Sequence, residues 1–367
     1  MTVVFTTASF PPDLVWTPEL VRYLSDADRA TGRLAGEGSH LPSPHLLMRP
    51  FMRREAVLSS RIEGTQTTLG ELLAAEAGGR VERSPADLQE VENYVSALEY
   101  GIDRLRSLPL SLRLLRELHA RLMDGVRGQH SKPGEFRRSQ NWIGPPGCAL
   151  EEATYVPPSV PEMLEALNAW ERALGDTSLP PLAQIGLAHC QFEAIHPFLD
   201  GNGRVGRLLI TLFLVERMIL PTPMLYLSAY FEATRNEYYN RLLAVSESGD
   251  WEAWLRYFLI GVARESDDAL GRVERLNELL RGWRSVVAGL PTGTPAALVD
   301  LLAENPFWTI TKAAQRLGVA YTTAQRAVER LERESILEQV AGRLRDRVYC
   351  ARAILDILEE PAELGPQ

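Results

Sequence analysis

The sequence predicts an all-α protein that carries a small β-hairpin flap and ends in a separate helix-turn-helix module. Three observations predict it. Apolar residues recur at helical spacing through nearly every periodic segment. Residues 126–158 break that pattern with Gly, Pro and the stretches NWIGPPG and ATYVPP, the composition of turns and short extended strands. Composition shifts again at AGLPTGTP, residues 288–295, a linker by its Gly, Pro and Thr content.

In chain order, PELVRYLSDADRATGRL opens the helical part, with Thr17 as N-cap and Pro18 in the first turn, where its missing N–H costs nothing. GEGSHLPSPH reads as a loop, and a helix follows over roughly Leu46 to Ile62. Ser84-Pro85 opens another helix, and so do Ser111 and Ser159. Asp250 starts a segment that is either one long helix or two in series. After the linker come three short helices and two short strands around AGR; Gly318-Val-Ala is the tight turn between the second and third helices.

The chain has 367 residues, a formal net charge of -9 and only three Cys, at 148, 190 and 350. The length suits two or three domains. The charge argues against a globally basic nucleic-acid binder. Three distant Cys form neither a disulfide framework nor a thiolate zinc site. No basic leader and no apolar run of membrane-spanning length is visible, so the expected setting is a reducing cytoplasm with no membrane partner.

Chemistry concentrates in HPFLDGNGRVGR, residues 196–207. It contains G-x-G-x-x-G, but no strand precedes it: LAQIGLAHCQFEAI is helical in spacing, and no carboxylate lies where a dinucleotide ribose would need one. The loop instead leads into a helix N-terminus, where backbone N–H groups favour an anion. Gly201 and Gly203 remove side chains that would bar a ligand. Arg204 and Arg207, three apart, can grip a polyphosphate. Asp200 beside phosphates calls for a cation between them, for which Mg²⁺ is suited. His196 can take a proton from a hydroxyl. Each residue has an ordinary reading too: a loop histidine, an N-cap aspartate, surface arginines, turn glycines. Those readings give no reason for the order. A metal-dependent phosphohydrolase would need more ligands than His196, Asp200 and the nearby His189 supply.

HPFLDGNGRVGR resembles the signature of the Fic (Fido-fold) family, with every specified position filled. GEFRRSQNWIG from Gly134, ATYVPP from Ala153 and RNEYYNRLL from Arg235 resemble further family features in the expected order, over roughly residues 45–265. The resemblance implies a Fido-fold catalytic domain that transfers a nucleoside monophosphate, usually AMP from ATP, to a Ser, Thr or Tyr hydroxyl of a protein. It implies His196 as base, Phe198 as loop anchor, Asp200 as Mg²⁺ ligand, and Asn202 with the Gly201–Gly203 backbone around the α-phosphate. Arg204 would contact the inner phosphates and Arg207 the γ-phosphate. Ala153, Thr154 and Tyr155 would be the flap that registers the target's main chain; Tyr238 and Tyr239 would border the base, though aromatic core suits their helical spacing equally well.

SSRIEGT, residues 59–65, places Ser59 and Glu63 on one helix face, with Gly64 ending the helix. That is an ordinary surface pair and C-cap, or, by resemblance, the family's inhibitory helix. In the latter reading Glu63 pairs with Arg207 and fills the γ-phosphate's space. The C-terminal module resembles a winged helix, with YTTAQRAVERLERES as groove helix and a basic wing at Arg343, Arg345 and Arg347; it would dock on DNA or on protein, and homodimerisation is left open. The expected layout is residues 1–110 as an N-terminal helical segment with the inhibitory helix at about 46–64, 111–265 as catalytic domain, 266–294 as connecting helix and linker, and 295–360 as winged helix. The competing readings are a nucleotide-sensing DNA-binding regulator and a de-AMPylase of the same fold.

Overall fold

The computed structural model describes residues 3–5, 10–40, 44–79, 85–126, 132–145, 147–289, 293–340 and 347–361. Helix α1 runs Pro18–His40 and lies along α11, Trp251–Val287, the pair with the most extensive mutual contact. Thr17 caps α1 as its sequence requires: its Oγ1 accepts the Leu20 N–H at 3.2 Å. The expected loop from Gly36 is helix as far as His40. Packing on α11 through Leu20, Leu24, Ala27, Ala30 and Leu34 outweighs the weak helix preference of the glycines. The segment after Asp250 is one helix, α11, of 37 residues.

Helix α2, Pro44–Ile62, packs on α4, Pro85–Arg104, and on α9, Ser228–Ala233. Between α2 and α4 lies α3, Leu69–Glu76, a helix the sequence reading passed over; Thr68 and Glu71 form a reciprocal capping box at its start. The interior is then built from α5 (Leu112–Leu122), α6 (Val160–Gly175), α7 (Pro181–Ile195), α8 (Asn202–Glu216) and α10 (Arg235–Ser248). α7 and α8 are apolar nearly all round and buried along most of their length, as central helices must be. Their connection carries the motif.

The flap is present in reduced form. Ile143 bridges Tyr155 in antiparallel fashion, with a short 3-10 turn at Leu150–Glu152 between them. An unforeseen strand, β1 (Val3–Val4), adds in parallel to β2 (Tyr155–Val156). The carbonyls of Thr154, Tyr155 and Val156 are therefore all taken, by the N–H groups of Val3, Ile143 and Phe5 respectively.

Past the linker come α12 (Thr294–Leu302), β3 (Phe307–Thr309), α13 (Ile310–Leu317), α14 (Tyr321–Arg333), β4 (Glu338–Gln339), β5 (Val348–Cys350) and α15 (Arg352–Glu359). Gly318 ends α13 in the left-handed conformation, φ 64°, which makes the α13–α14 turn tight. The strands form an antiparallel sheet in the order β3-β5-β4. Strand β3 and helix α15 were not anticipated. Arg347 is exposed just before β5; Ser84, the AGR turn, Arg343, Arg345 and the tail from residue 362 lie outside the described residues. The module rests on the N-terminal helices: Glu304 pairs with Arg49 of α2 and, at 2.9 Å, with Arg316. Gly70 N–H donates to the Glu359 carboxylate at 3.0 Å.

Candidate active site

His196 ends α7 in the left-handed conformation, φ 48° and ψ 60°. A non-glycine residue there is strained by about 1 kcal/mol or more, so neighbouring bonds must hold it. Arg137 Nε donates to the His196 carbonyl at 3.1 Å, and the Arg137 N–H to the Pro197 carbonyl at 2.9 Å. Asn141 Nδ2 reaches the Phe198 carbonyl at 3.0 Å. Phe198 is fully buried and stacks on the His119 ring at 3.8 Å. Asn202 clasps the loop from the other side: its Oδ1 accepts the Phe198 N–H at 2.8 Å and its Nδ2 donates to the Phe198 carbonyl at 2.9 Å. Gly201, at φ 76°, is the N-cap of α8 and is needed as glycine for that turn.

The histidine's proton can be located by its partner. Nδ1 of His196 lies 3.3 Å from the Glu193 carbonyl, which only accepts, so Nδ1 carries the proton and Nε2 is left as a free base. Burial pulls His196 down to about 4, against the opposing pull of the Glu193 carbonyl, Glu63 and Asp200; the ring is neutral near pH 7. His119 is likewise held down to about 4 by burial. It accepts the Gly134 N–H on Nδ1 at 2.8 Å and donates from Nε2 to the Asp200 carbonyl at 3.0 Å, a brace rather than a base. His189 is a core residue: Nδ1 meets the Gly206 carbonyl and Nε2 the Tyr238 hydroxyl, both at 2.9 Å. Neither of its nitrogens is spare for a metal.

Arg207 is buried and points back to α2. Its Nε donates to Ser59 Oγ at 2.7 Å, its Nη2 to the Ser59 carbonyl at 3.0 Å and to Glu63 Oε1 at 2.7 Å. Glu63 sits one residue past the end of α2, and Gly64, at φ 100°, turns the chain away. Burial works to raise the Glu63 carboxyl, but the Arg207 charge and hydrogen bond outweigh it and hold it below the usual range. Arg207 is held above its ordinary value, burial being outweighed by Glu63. The Glu63 carboxylate lies against Gly203, close enough that a Cβ there would run into it. A carboxylate therefore occupies the anion position at the N-terminus of α8.

The other two motif charges are placed differently. Arg204 is buried and bonded to Glu90 of α4 at 3.4 Å, with Asp200 Oδ1 at 3.6 Å; its Nε finds no partner among the described residues. Asp200 has a half-exposed side chain that accepts the Gly201 N–H at 2.6 Å. Among the described residues no group of three or more His, Cys, Asp or Glu is assembled to hold a metal. A lone exposed carboxylate suits Mg²⁺ that arrives with its own phosphate oxygens, a cation that needs only one or two protein carboxylates.

A cavity of about 560 Å³ opens on His196, Arg207 and Glu63. Its lining includes His196, Gly203, Arg207 and Glu63, Thr154 and Tyr155 of the flap with Ile143 and Trp142, and Tyr238 and Tyr239 of α10. Tyr239 is partly exposed, whereas Tyr238 is core, its hydroxyl given to His189. Tyr155 is buried and its hydroxyl donates to the Ala194 carbonyl at 2.8 Å. Ser59, Gly64, Ala153, Asp200, Gly201, Asn202 and Arg204 are not on the cavity wall; Ala153 is buried. The sequence reading missed His119 and Glu90 as loop supports, and it missed Glu193, which lines the cavity. Only Glu193 left a signal, an acid in an otherwise apolar helix just ahead of the motif.

Fold and site together define a helical protein with a neutral histidine and an anion seat on one glycine-capped loop. The chain belongs to the Fic/DOC family: residues 21–103 match its N-terminal region and residues 109–214 the Fic/DOC family itself, between them more than half of the chain. It is similar to the protein adenylyltransferase Fic of Drosophila grimshawi, 28% identical over 209 residues, 53% of this chain and 38% of that one. The counterpart in Drosophila willistoni is 29% identical over 209 residues, 53% and 37% of the two chains. The match thus spans well under half the length of these relatives. In structure it resembles a Fic family protein from Desulfovibrio desulfuricans, TM-score 0.61, 21% identity, covering 93% of this chain and 98% of that one. Fic-1 from C. elegans gives TM-score 0.55, 24% identity, and 70% and 74% coverage. These two likenesses are of fold.

Proposed function

We propose that the chain is a protein adenylyltransferase, moving AMP from ATP to a Ser, Thr or Tyr hydroxyl, and that Glu63 restrains it. One observation carries this reading: an internal carboxylate sits at the α8 N-terminus in the grip of Arg207, where a terminal phosphate would sit. The names of the curated relatives support the activity at family level.

In the active state Arg207 exchanges Glu63 for the γ-phosphate, and the N–H groups around Gly203 face the α-phosphate. Arg204, tied to Glu90, supports the loop beneath the inner phosphates. His196 Nε2 takes the proton of the target hydroxyl as its oxygen bonds to the α-phosphorus. The bond from that phosphorus to the bridging oxygen breaks, and pyrophosphate leaves. Asp200 would hold Mg²⁺, which supplies charge neutralisation to the phosphate chain. The base would lie against Tyr239. A target strand would enter along residues 141–144 or displace β1, since the carbonyls of 154–156 are already paired. Residues 1–110 would carry the brake, 111–265 the chemistry, with 266–294 leading to a winged helix over 295–360 that docks on protein or DNA. ATP labelled in turn at its α- and γ-phosphates tests the reaction: label must pass to protein from the α position only.

A further inference from the structure

We propose that Glu193 recognises the sugar of the bound nucleotide, its carboxyl taking the ribose 2′ and 3′ hydroxyls; this rests on the nucleotide-transfer reading above. Glu193 stands in the last turn of α7 and lines the cavity. Its Oε1 is shielded from solvent yet has no hydrogen-bond partner among the described residues. Buried polar oxygens are nearly always bonded, and leaving one unbonded costs free energy. A group that serves only the fold would have found a partner. One that waits for a ligand would not.

Its surroundings say which part of the ligand it would meet. On the α8 side, Gly206 has no side chain, and a Cβ there would run into the Glu193 carboxyl. The charges of Arg207 and, from the end of α2, Glu63 act on it from the anion seat. On the α10 side it acts on Tyr238, and along its own helix on Cys190. Glu193 thus shares one cavity with the anion-seat residues Gly203 and Arg207 and with Tyr238 and Tyr239, and it touches α8 at Gly206, three residues past Gly203; the part of a nucleotide that joins its phosphates to its base is the pentose. An acidic side chain on a ribose hydroxyl is a recurrent solution in other nucleotide sites. Burial lifts Glu193 to about 8, so near pH 7 it is an uncharged acid. It then has one donor and one acceptor for two vicinal hydroxyls, and no charge to repel phosphates.

The test is calorimetric binding of ATP, 2′-deoxyATP and 3′-deoxyATP to the Glu63→Gly protein, alone and with Glu193→Ala or Glu193→Gln. The parent should bind ATP about fivefold more tightly than either deoxynucleotide, the worth of one net hydrogen bond. Glu193→Ala should erase that preference by weakening ATP alone. Glu193→Gln, which keeps a donor and an acceptor, should retain most of it. A Glu193→Ala protein that still prefers ATP, or that weakens all three alike, overturns the proposal while the nucleotide reading stands. A parent that binds none of the three overturns both.

Discussion

Arg207 and Ser59, 148 positions apart in sequence, meet through two bonds: Nε to the hydroxyl at 2.7 Å and Nη2 to the carbonyl at 3.0 Å. Glu63 then completes the grip on Nη2 at 2.7 Å. The guanidinium is thus aimed by the helix as well as neutralised by the acid. Ser59→Ala should loosen the aim without removing the charge. We expect transfer several-fold above wild type but well below Glu63→Gly, because the second bond to the Ser59 carbonyl and the Glu63 pair remain and one hydrogen bond is worth a net of about 1 kcal/mol. A Ser59→Ala rate equal to wild type would show that the hydroxyl plays no part in the restraint.

His196→Ala should lower transfer by about 10²- to 10⁴-fold, the usual contribution of a positioned base. ATP affinity should change little, since the phosphate contacts come from α8. A near-parental rate in the Glu63→Gly background would remove His196 from the mechanism.

The pH profile follows from the depressed His196. The neutral ring is the working form, and it persists until pH falls through about 4. In Glu63→Gly, kcat/KM, which reports the free enzyme, should show no acid limb between pH 7 and about pH 6. Loss of Glu63 removes a charge that raises the histidine, so the acid limb moves further down. A rate that halves near the ordinary histidine value of 6.5 would mean that the ring is not buried as described.

Arg204 and Asp200 should separate in stability. Arg204 and its partner Glu90 are nearly buried, with side chains 4% and 10% exposed, whereas Asp200 is 48% exposed. Arg204→Ala should cost about 3 kcal/mol, as breaking a buried pair does. Asp200→Ala should cost under about 1 kcal/mol yet weaken Mg²⁺-dependent transfer. Urea unfolding of the two variants checks the contrast; equal losses would contradict it.

Local chemistry made parts of this molecule legible in advance. Thr17, Ser111 and Ser159 announced helix starts because capping is written within four residues. The motif loop stood out because glycine, histidine and arginine at that spacing suit few other purposes. What stayed hidden is set by distance in sequence. Helix α1 outruns its glycines because α11 lies beside it. Strand β1 pairs with a flap about 150 residues away, and two residues carry no period. His119 and Glu90 looked like ordinary helix residues until folding set one under Phe198 and the other beside Arg204. Helix α3 is the exception: Thr68-x-x-Glu71 is a readable start that was passed over.

The central claim is that Glu63 holds Arg207 away from the γ-phosphate. Its most direct test is the rate of protein labelling by ATP carrying label at the α-phosphate, compared between wild type and Glu63→Gly. Freeing Arg207 restores in-line placement of the phosphates, an effect of several kcal/mol, so the variant should label at least about 10²-fold faster. Arg207→Ala in the same chain should cancel the gain, since the two residues act on one another. A Glu63→Gly protein that binds ATP as tightly as wild type and labels no faster would contradict the account.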